Sequence, residues 1–527
     1  MTDKEETGQN GVPADNVYQA ALLQAEGKTE EAEAALREIL DGHPDQPDAL
    51  HLLAILEFRK ERSRVAADLV SRAIAINADN PDYHATLGSI LKAQSQITEA
   101  GNHFARAAAL SPENADYHFH CAEMRRLDSK NAQAEESYRK ALSLRPDFPL
   151  AGNGLGIVLD EQGKNEEAEA CFREALKTMG ENPDLLYNLG NVLKDQHRPD
   201  EALTAYRRAL EIRPDFPEAH VQIAFALLLK GDFTAAWEEY EWRWRMPTFT
   251  SNVRNFDQPV WDGAALDGRT ILLHAEQGFG DTLQFARYAK AAADRGGRVI
   301  FECPPPLARL MKTAAGVDEV IASGQPLPPF DCHAALLSLP GIVGTTLETV
   351  PADVPYLSAE PDLVSAWAER LKDAPGLKIG IAWCGTAEKR GNPSRACPLS
   401  AFEPLSRQPD ISLFSLQKDP PEEDLPLPDG LTDLSGDLND FADTAAVIQA
   451  LDLIVSIDTA VAHLAGALAC PAWVMLSTAG DWRWLMERGD SPWYPTLRLF
   501  RQTRARQWDD ILEAVSAEAA ALIASQG

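Results

Sequence analysis

QPDAL (46–50), NPDYH (80–84), NADYH (114–118), FPLAG (148–152), NPDLL (182–186) and FPEAH (216–220) recur in one register through the first half of the chain. Their second residues, Pro47, Pro81, Ala115, Pro149, Pro183 and Pro217, follow a constant step of 34. Ala66, Ala100, Ala134, Ala168, Ala202 and Ala236 keep that step, as do Ala73, Ala107, Ala141, Ala175 and Ala209. Leu87-Gly88, Leu155-Gly156 and Leu189-Gly190 fill a further register. A small residue at a fixed place lets two helix axes approach closely. A proline just beyond a helix cannot continue it and is expected to set the turn before the next pair. One helix pair cannot cover its own apolar face, so the units are expected to stack into an α-solenoid with a groove.

The period and its L-G, A and P marks resemble the tetratricopeptide (TPR) repeat. Six units are expected from about Pro47 to Arg245, with a degenerate one near 13–46 containing Ala32, so the array occupies 13–246. The resemblance implies that the groove takes an extended peptide or a partner protein; a spacer or dimerisation arm is the plainer alternative. Tyr83, His84, Tyr117, His118, His120, Asn153 and Asn188 lie near first-helix starts. They are placed either to meet a peptide backbone or to satisfy one another between helices. Trp237, Tyr240 and Trp244 stand at i, i+3 and i+7, one helical face. They predict a packing seam between the array and the second half of the chain. Residues 247–268 carry turn formers without a period and read as a linker.

The chain has 527 residues, with 80 Asp plus Glu against 49 Lys plus Arg and a net charge of −31. The acidity is spread over both halves, and such a field repels a polyphosphate, so nucleic acid is not an expected partner. A single buried phosphate site remains compatible, because a few local donors outweigh a screened distant field. Seven cysteines without a CxxC pair argue against a disulfide framework or zinc knuckle and for a reducing compartment. The first residues lack a basic segment followed by an apolar one, and no apolar run reaches the ~18 residues of a membrane span. A cytoplasmic location is expected.

From Arg269 onward short apolar runs alternate with helical stretches. TILLH (270–274), RVIFEC (298–303), VDEVIA (317–322) and FDCHAALLSL (330–339) read as strands or strand edges, with an amphipathic helix over 281–293. After a loop near 351–376 the pattern restarts with KIGIAW (378–383), ISLFSLQ (411–417), LIVSID (453–458) and AWVMLS (472–477). This alternation predicts two Rossmann-like lobes, 269–370 and 371–527, with parallel sheets and sites at the carboxyl ends of the strands. Two such lobes facing a cleft form the two-lobed α/β GT-B arrangement.

In SIDTAVAHLAGALACPAWVM (456–475) a strand turns into a helix at Asp458-Thr459. Such a turn offers free N–H groups to a phosphate; helix capping by Asp458 or Thr459 is the plain alternative. Asp458, Thr459, Ala460, His463, Leu464 and Ala465 match the donor-binding segment of the bacterial heptosyltransferase superfamily, which this stretch resembles. In LLHAEQGFGDTLQFARY (272–288), Gly278, Gly280 and Asp281 follow the first strand and open a helix. The same superfamily places a Gly-Asp there, which implies Asp281 as catalytic base. His274, at the strand end, is the other candidate base, with an intrinsic pKa suited to proton removal near neutrality. In IGIAWCGTAEKRGNPSRACPL (379–399), Gly385 precedes Lys389, Arg390 and Arg395, cations fit to compensate a leaving phosphate. Related TPR-linked transferases carry Arg-Ser where this chain has Arg395-Ala396. Gln417 and Lys418, at another strand end, are candidate nucleotide or phosphate contacts.

GDWRWLMERGDSPWYPTLRLFRQ (480–502) looks like the signature tail of bacterial TPR-linked protein glycosyltransferases, which the whole chain resembles. Trp482, Trp484 and Trp493 are placed to stack on a base or sugar or to close the lobe. The resemblance implies inverting transfer of a sugar from a nucleotide sugar to Ser or Thr of an acceptor protein, flagellin among the candidates. No Asp-x-Asp pair stands in a convincing loop, so neither a metal nor a cofactor is expected. The alternatives are a heptosyltransferase-like enzyme acting on a glycolipid or polysaccharide, and a TPR scaffold with a degenerate transferase half.

Overall fold

The computed structural model describes residues 14–249, 253–385, 397–478, 480–504 and 507–526. The chain divides into two compact units between Val192 and Leu193.

The first unit is helical. Its helices are α1 (Ala14–Ala25), α2 (Thr29–Gly42), α3 (Pro47–Arg59), α4 (Ser63–Ile76), α5 (Pro81–Ala93), α6 (Ile97–Leu110), α7 (Ala115–Leu127), α8 (Asn131–Leu144), α9 (Pro149–Glu161), α10 (Asn165–Met179) and most of α11 (Pro183–Asp195). The weak first unit of the period is thus a complete helix pair. The prolines open first helices and do not merely close the preceding ones: Pro47, Pro81 and Pro149 each begin a helix. The missing N–H of proline costs nothing at that position, and its fixed φ is already helical. The Asn80 and Asn114 side chains cap the helices behind them by accepting from Asp82 N and Asp116 N.

The period follows from packing. Ala66, Ala100, Ala134 and Ala168 are fully buried. At Gly156 a Cβ would stand 2.6 Å from the Phe172 ring, and at Gly88 3.0 Å from the Phe104 ring. In these two units an aromatic side chain on the second helix therefore occupies the space that the small residue vacates on the first, sixteen positions earlier.

The second unit begins at the end of α11 and continues with α12 (Pro199–Ile212), α13 (Pro217–Lys230) and α14 (Phe233–Tyr240). An α/β region comes next. Strands β1 (Thr270–His274), β2 (Arg298–Cys303), β3 (Glu319–Ala322) and β4 (Cys332–Ala335) form a parallel sheet in the order β3-β2-β1-β4. Strands β5 (Leu377–Ala382), β6 (Ile411–Ser415), β7 (Leu431–Asp433), β8 (Leu453–Ile457), β9 (Ala472–Leu476) and β10 (Leu497–Arg501) form another. Its order is β10-β9-β8-β5-β6-β7, and every pairing is parallel. This is the doubly wound order, whose strand sequence reverses between β5 and β8. Strand β8 is buried along its whole length, which explains its run of apolar residues, interrupted only by the buried Ser456. The C-terminal helix Asp509–Gln526 covers the second sheet through Ile511, Leu512, Val515 and Ala519.

Several expectations need correction. Strands β7 and β10 lie outside the eight expected runs; β7 is only three residues long, and β10 is masked by its aromatic surroundings. The segment 351–376 is not all loop, for Pro361–Leu371 is a helix. It crosses the expected lobe boundary and packs on the helix Phe441–Ala450 beside the second sheet. Within the stretch read as a linker, Val260 bridges to His333 and Trp261 N donates to His333 O at 2.8 Å, which extends the β4 edge of the first sheet. The expected helix over 281–293 is interrupted by a 3₁₀ turn at Ala286–Tyr288.

The seam itself differs in one residue. α14 ends at Tyr240, and Glu241–Arg245 continues as a 3₁₀ turn, so Trp244 leaves the face shared by Trp237 and Tyr240. Arg243 takes its place and is 1% exposed. Its Nη2 and Nε donate to the two Glu276 carboxylate oxygens at 2.8 and 3.1 Å, and Nη2 also reaches Ser338 Oγ at 2.7 Å. Trp237 Nε1 donates to Thr345 O at 2.8 Å. Phe233 stacks on Trp493 with centroids 5.9 Å apart.

Two outcomes are expected. Gly156→Ala should destabilise the first unit by roughly 1–3 kcal/mol through overpacking, and Phe172→Leu in the same chain should recover part of it. Urea unfolding followed by circular dichroism measures both, and an unchanged midpoint would mean that Phe172 has room to move. Glu276→Gln removes the buried carboxylate and leaves the Arg243 charge matched only by the half-exposed Glu241, which should cost about 3–5 kcal/mol. The Arg243→Met/Glu276→Leu pair should restore most of that loss. If the double variant is no better than the single, the bidentate pair is not what the single variant removed.

Candidate functional site

Two strand-to-helix turns, one from each sheet, meet in the second unit. In the first sheet β1 ends at His274 and runs through Glu276 to the helix Phe279–Phe285. In the second, β8 ends at Ile457, beside the reversal of strand order, and passes Asp458-Thr459 into the helix Ala460–Ala467. These helices pack directly on each other: a Cβ at Gly280 would lie 2.9 Å from His463 Cδ2 and 3.7 Å from Ala460 Cα. The close approach, not an unusual backbone angle, is what demands glycine there.

Asp281 is fully engaged. Its Oδ2 accepts from Gly278 N at 2.9 Å, closing the first turn, and its Oδ1 pairs with Arg483 Nη2 at 2.5 Å. Arg483 also donates to Asp481 Oδ1 at 2.9 Å and to Gln284 Oε1 at 2.8 Å, so all three of its nitrogens are used. Burial would discharge Arg483, but the two carboxylates more than offset that and hold it charged.

His463 is 5% exposed. Its Nδ1 lies 3.0 Å from Tyr494 Oη, its Nε2 lies 3.9 Å from Asp458 Oδ1, and its ring stacks on Trp484. Burial, helped by the Arg483 charge, pushes its pKa down to about 3, so the imidazole is neutral at pH 7. The Thr459 hydroxyl turns inward. Ser456 Oγ spends its hydrogen on Ile457 O at 2.7 Å, so Thr459 donates to Ser456 Oγ at 2.9 Å. The phosphate-binding capacity of this turn therefore rests on the backbone N–H groups of the first helical turn, among them that of Ala460. Asp458 and Asp481 border one small crevice at the ends of β8 and β9.

His274 is the less exposed of the two candidate bases. It is 4% exposed, its Nε2 lies 3.3 Å from His333 Nδ1, and Phe256 meets both rings edge-on. Burial first, then His333, Arg254 and Arg243, push its pKa down to about 3. A ring so weakly basic has little driving force to take a proton.

Other expected residues have plainer roles. Gln417 Oε1 accepts from Trp383 N and Cys384 N at 3.3 and 3.1 Å, tying the ends of β5 and β6 together. Lys418 Nζ donates to Ser435 O at 2.9 Å. Gly385 is the last described residue before the basic loop; Lys389, Arg390 and Arg395 lie outside the described residues. Trp482 and Trp493 do not stand ready to stack on a ligand: they are 3% and 0% exposed, packed with Phe233, Trp237 and Phe285. Among the described residues no His, Cys, Asp and Glu group is arranged to hold a metal ion, and no helix is long and apolar enough to cross a membrane.

The polar residues at the first-helix starts satisfy one another. The Tyr83 hydroxyl donates to Asp48 and that of Tyr117 to Asp82, while Asn188 Nδ2 donates to Asn153 Oδ1 at 2.9 Å. His84 Nδ1 faces His103 Nδ1 at 3.1 Å, His118 Nε2 meets Pro112 O at 3.0 Å, and His120 packs on Phe104.

Arg483 and Tyr494 were read from the sequence only as members of the tail motif, without a role, and Gln284 and Arg287 were not singled out. Arg287 is buried without a carboxylate partner among the described residues. Its Nη1 donates to Pro351 O and Trp493 O at 2.9 and 2.7 Å, and its guanidinium lies over the Tyr356 and Tyr494 rings. An arginine inside an otherwise aromatic run, as in DWRW and FARY, is the one signal the sequence offered.

Both buried histidines make stability depend on pH. The unfolded chain binds their protons below about 6.5, whereas the folded one resists protonation until about 3. Their contribution is complete above pH ~6.5 and is lost as pH falls through that window, at up to ~1.4 kcal/mol per pH unit for each ring. His274→Asn should therefore shrink the stability difference between pH 7 and pH 5 by roughly 1–2 kcal/mol. Chemical denaturation at the two pH values measures it, and an unaltered difference would show that His274 takes its proton in the folded state.

Tetratricopeptide-repeat models match residues 23–90, 86–149, 128–184 and 183–216. The chain is similar to Protein FlbA of Caulobacter vibrioides, 27% identical over 339 residues that cover 58% of this chain and 56% of FlbA. It thus spans about half the length of that relative. Among solved structures it is similar to pilF of Pseudomonas aeruginosa, with 21% identity and a TM-score of 0.35 over 39% of this chain and 93% of that one. It is also similar to YrrB, described as a TPR protein with an unusual peptide-binding site, with 18% identity and a TM-score of 0.33 over 35% and 95%. The N-terminal half of this chain carries tetratricopeptide repeats.

Proposed function

We propose that this protein is a GT-B glycosyltransferase that moves a sugar, with inversion, from a nucleotide-activated donor to Ser or Thr hydroxyls of a protein held by its repeats. Flagellin is among the candidate acceptors. The observation that carries the reading is the contact of Gly280 with His463, which brings the opening turn of one parallel sheet against the turn at Asp458-Thr459 of the other. The doubly wound order of the second sheet supports it, because ligands of such sheets sit outside the strand ends where the order reverses.

In this mechanism the N–H groups at Thr459 and Ala460, with Lys389 and Arg395 of the basic loop, stabilise the departing phosphate without a metal. Asp281 is the base and Arg483 its counter-ion. The acceptor hydroxyl must reach a free lone pair of the Asp281 carboxylate, beside or in place of the Arg483 nitrogen, before the proton can move. Neutral His463 adds no second positive charge beside that of Arg483 between Asp281 and the phosphate turn. The repeats supply acceptor binding, a usual role of stacked helical repeats.

Intact-mass measurement of candidate acceptor proteins, incubated with a nucleotide-sugar mixture and with or without this protein, tests the reaction. A gain equal to one or more sugar residues is expected, and unchanged masses across acceptors and donors would refute transfer. With an acceptor in hand, Asp281→Asn should lower turnover on the order of 10²–10⁴-fold with folding intact. Normal turnover in that variant, beside a folded but inactive His274→Ala, would assign the base to His274.

A further inference from the structure

A cavity of about 290 Å³ lies at the carboxyl ends of β9 and β10, and neither Gly280 nor His463 lines it. Ser477, Thr478, Arg501 and Gln502 line one side of it, and Lys194 and His197, with Leu229 of α13, line the other. Its volume is at the lower end of small-molecule sites, which start near ~300 Å³.

Its lining carries two cations, Lys194 and Arg501, and two carboxylates, Asp195 and Glu487, but Arg501 is not paired with either. Arg501 is half-buried, and its Nη2 and Nε donate only to neutral acceptors, Trp484 O at 2.6 Å and Arg488 O at 3.0 Å. Among the described residues it has no ion-pair partner. Burial without a compensating carboxylate lowers its basicity. Lys194, by contrast, is held by Gln222 Oε1 at 2.8 Å and stands 3.9 Å from Asp195. A half-buried guanidinium facing only carbonyls costs free energy unless an anion joins it.

Two neighbours border that place. A Cβ at Gly480 would stand 3.6 Å from Arg501 Nη1, an ordinary contact distance. Gln502 Oε1 accepts from Thr478 N at 3.3 Å, which fixes the amide orientation, and Gln502 Nε2 has no hydrogen-bond partner. Serine and threonine hydroxyls on the same wall, with the Asp195 and Glu487 carboxylates nearby, suit the hydroxyls of a small polyol.

We propose that this cavity binds a sugar-sized anion, with the carboxylate or phosphate on Arg501 and the hydroxyls on the surrounding polar side chains. The site does not depend on the transferase reading and is tested without any transfer reaction. Isothermal titration of the full chain with glucuronate, glucose 6-phosphate, inorganic phosphate and glucose provides the probes. At least one sugar anion should bind about tenfold or more tightly than glucose. Glucuronate alone would identify a carboxylate ligand, and glucose 6-phosphate alone a phosphate ligand. Arg501→Gln should weaken that binding by about tenfold or more. Because Arg501 also fastens the turn at 484–488, Leu229→Trp provides a second variant that fills the cavity from the opposite wall and leaves Arg501 intact. It should abolish binding as well. The proposal is overturned if neither sugar anion binds up to roughly 10 mM, or if glucose binds equally well. It is also overturned if inorganic phosphate matches both sugar anions, or if Leu229→Trp binds as the wild type does.

Discussion

Arg243 and Glu276 form a bidentate ion pair with almost no access to water, and the second unit is organised around it. Taking both charges out of water is costly, and their attraction repays that only with good geometry and every remaining donor satisfied. Here Tyr240 O and Glu241 take Nη1, Ser338 shares Nη2, and Leu337 N donates to Glu276 Oε1. The pair thereby joins the last helical repeat, the segment leaving β1 and the segment leaving β4. Glu276 is two residues beyond β1 and two before Gly278, so the backbone that delivers Gly280 and Asp281 starts from a fixed point.

From that point a chain of buried polar contacts crosses between the two sheets. Asp281 reaches Arg483, Arg483 reaches Asp481, and Arg287 binds the carbonyls of Pro351 and Trp493. Arg309 does the same farther out, pairing with Glu360 at 2.5 Å and Asp443 at 3.0 Å. Each cation lies on one side of the boundary and reaches at least one partner on the other. Directional contacts of this kind fix an orientation more narrowly than the surrounding apolar packing, which tolerates sliding. The aromatic cluster of Phe233, Trp237, Trp482 and Trp493 excludes water from the same region.

How much of this could be read from the sequence depended on periodicity. Leu87-Gly88 and the alanine rows announced the helix pairs because the same small residue must recur wherever two axes touch. Apolar runs such as LIVSI announced β8 because a strand buried on both faces has no polar alternation to hide it. β10 went unread because Arg498 and Arg501 break the apolar run of Leu497–Arg501, which lies among polar and aromatic residues. The paired turns at Asp281 and Asp458 were legible as motifs, but their engagement was not. Nothing local to Gly278 or Asp281 indicates an arginine 202 positions later. Polar side chains at repeat starts were equally ambiguous, since a tyrosine facing a ligand and one facing the preceding unit look alike in one dimension.

The contacts between repeat starts carry a consequence for how such a chain can change over time. The Tyr83–Asp48, Tyr117–Asp82 and Asn188–Asn153 bonds each span 35 positions, so every one links a unit to the unit before it at the same relative place. Duplication or loss of a whole 34-residue segment leaves equivalent partners facing each other, whereas insertion of one residue inside a unit shifts the donors and acceptors that flank it out of step. Array length is therefore free to drift by whole units within the interior. The closing unit is not free in this way, because Arg243 is tied to Glu276 and Ser338 of the α/β region. Lineages of this architecture should differ in how many repeats they carry while sharing the last one.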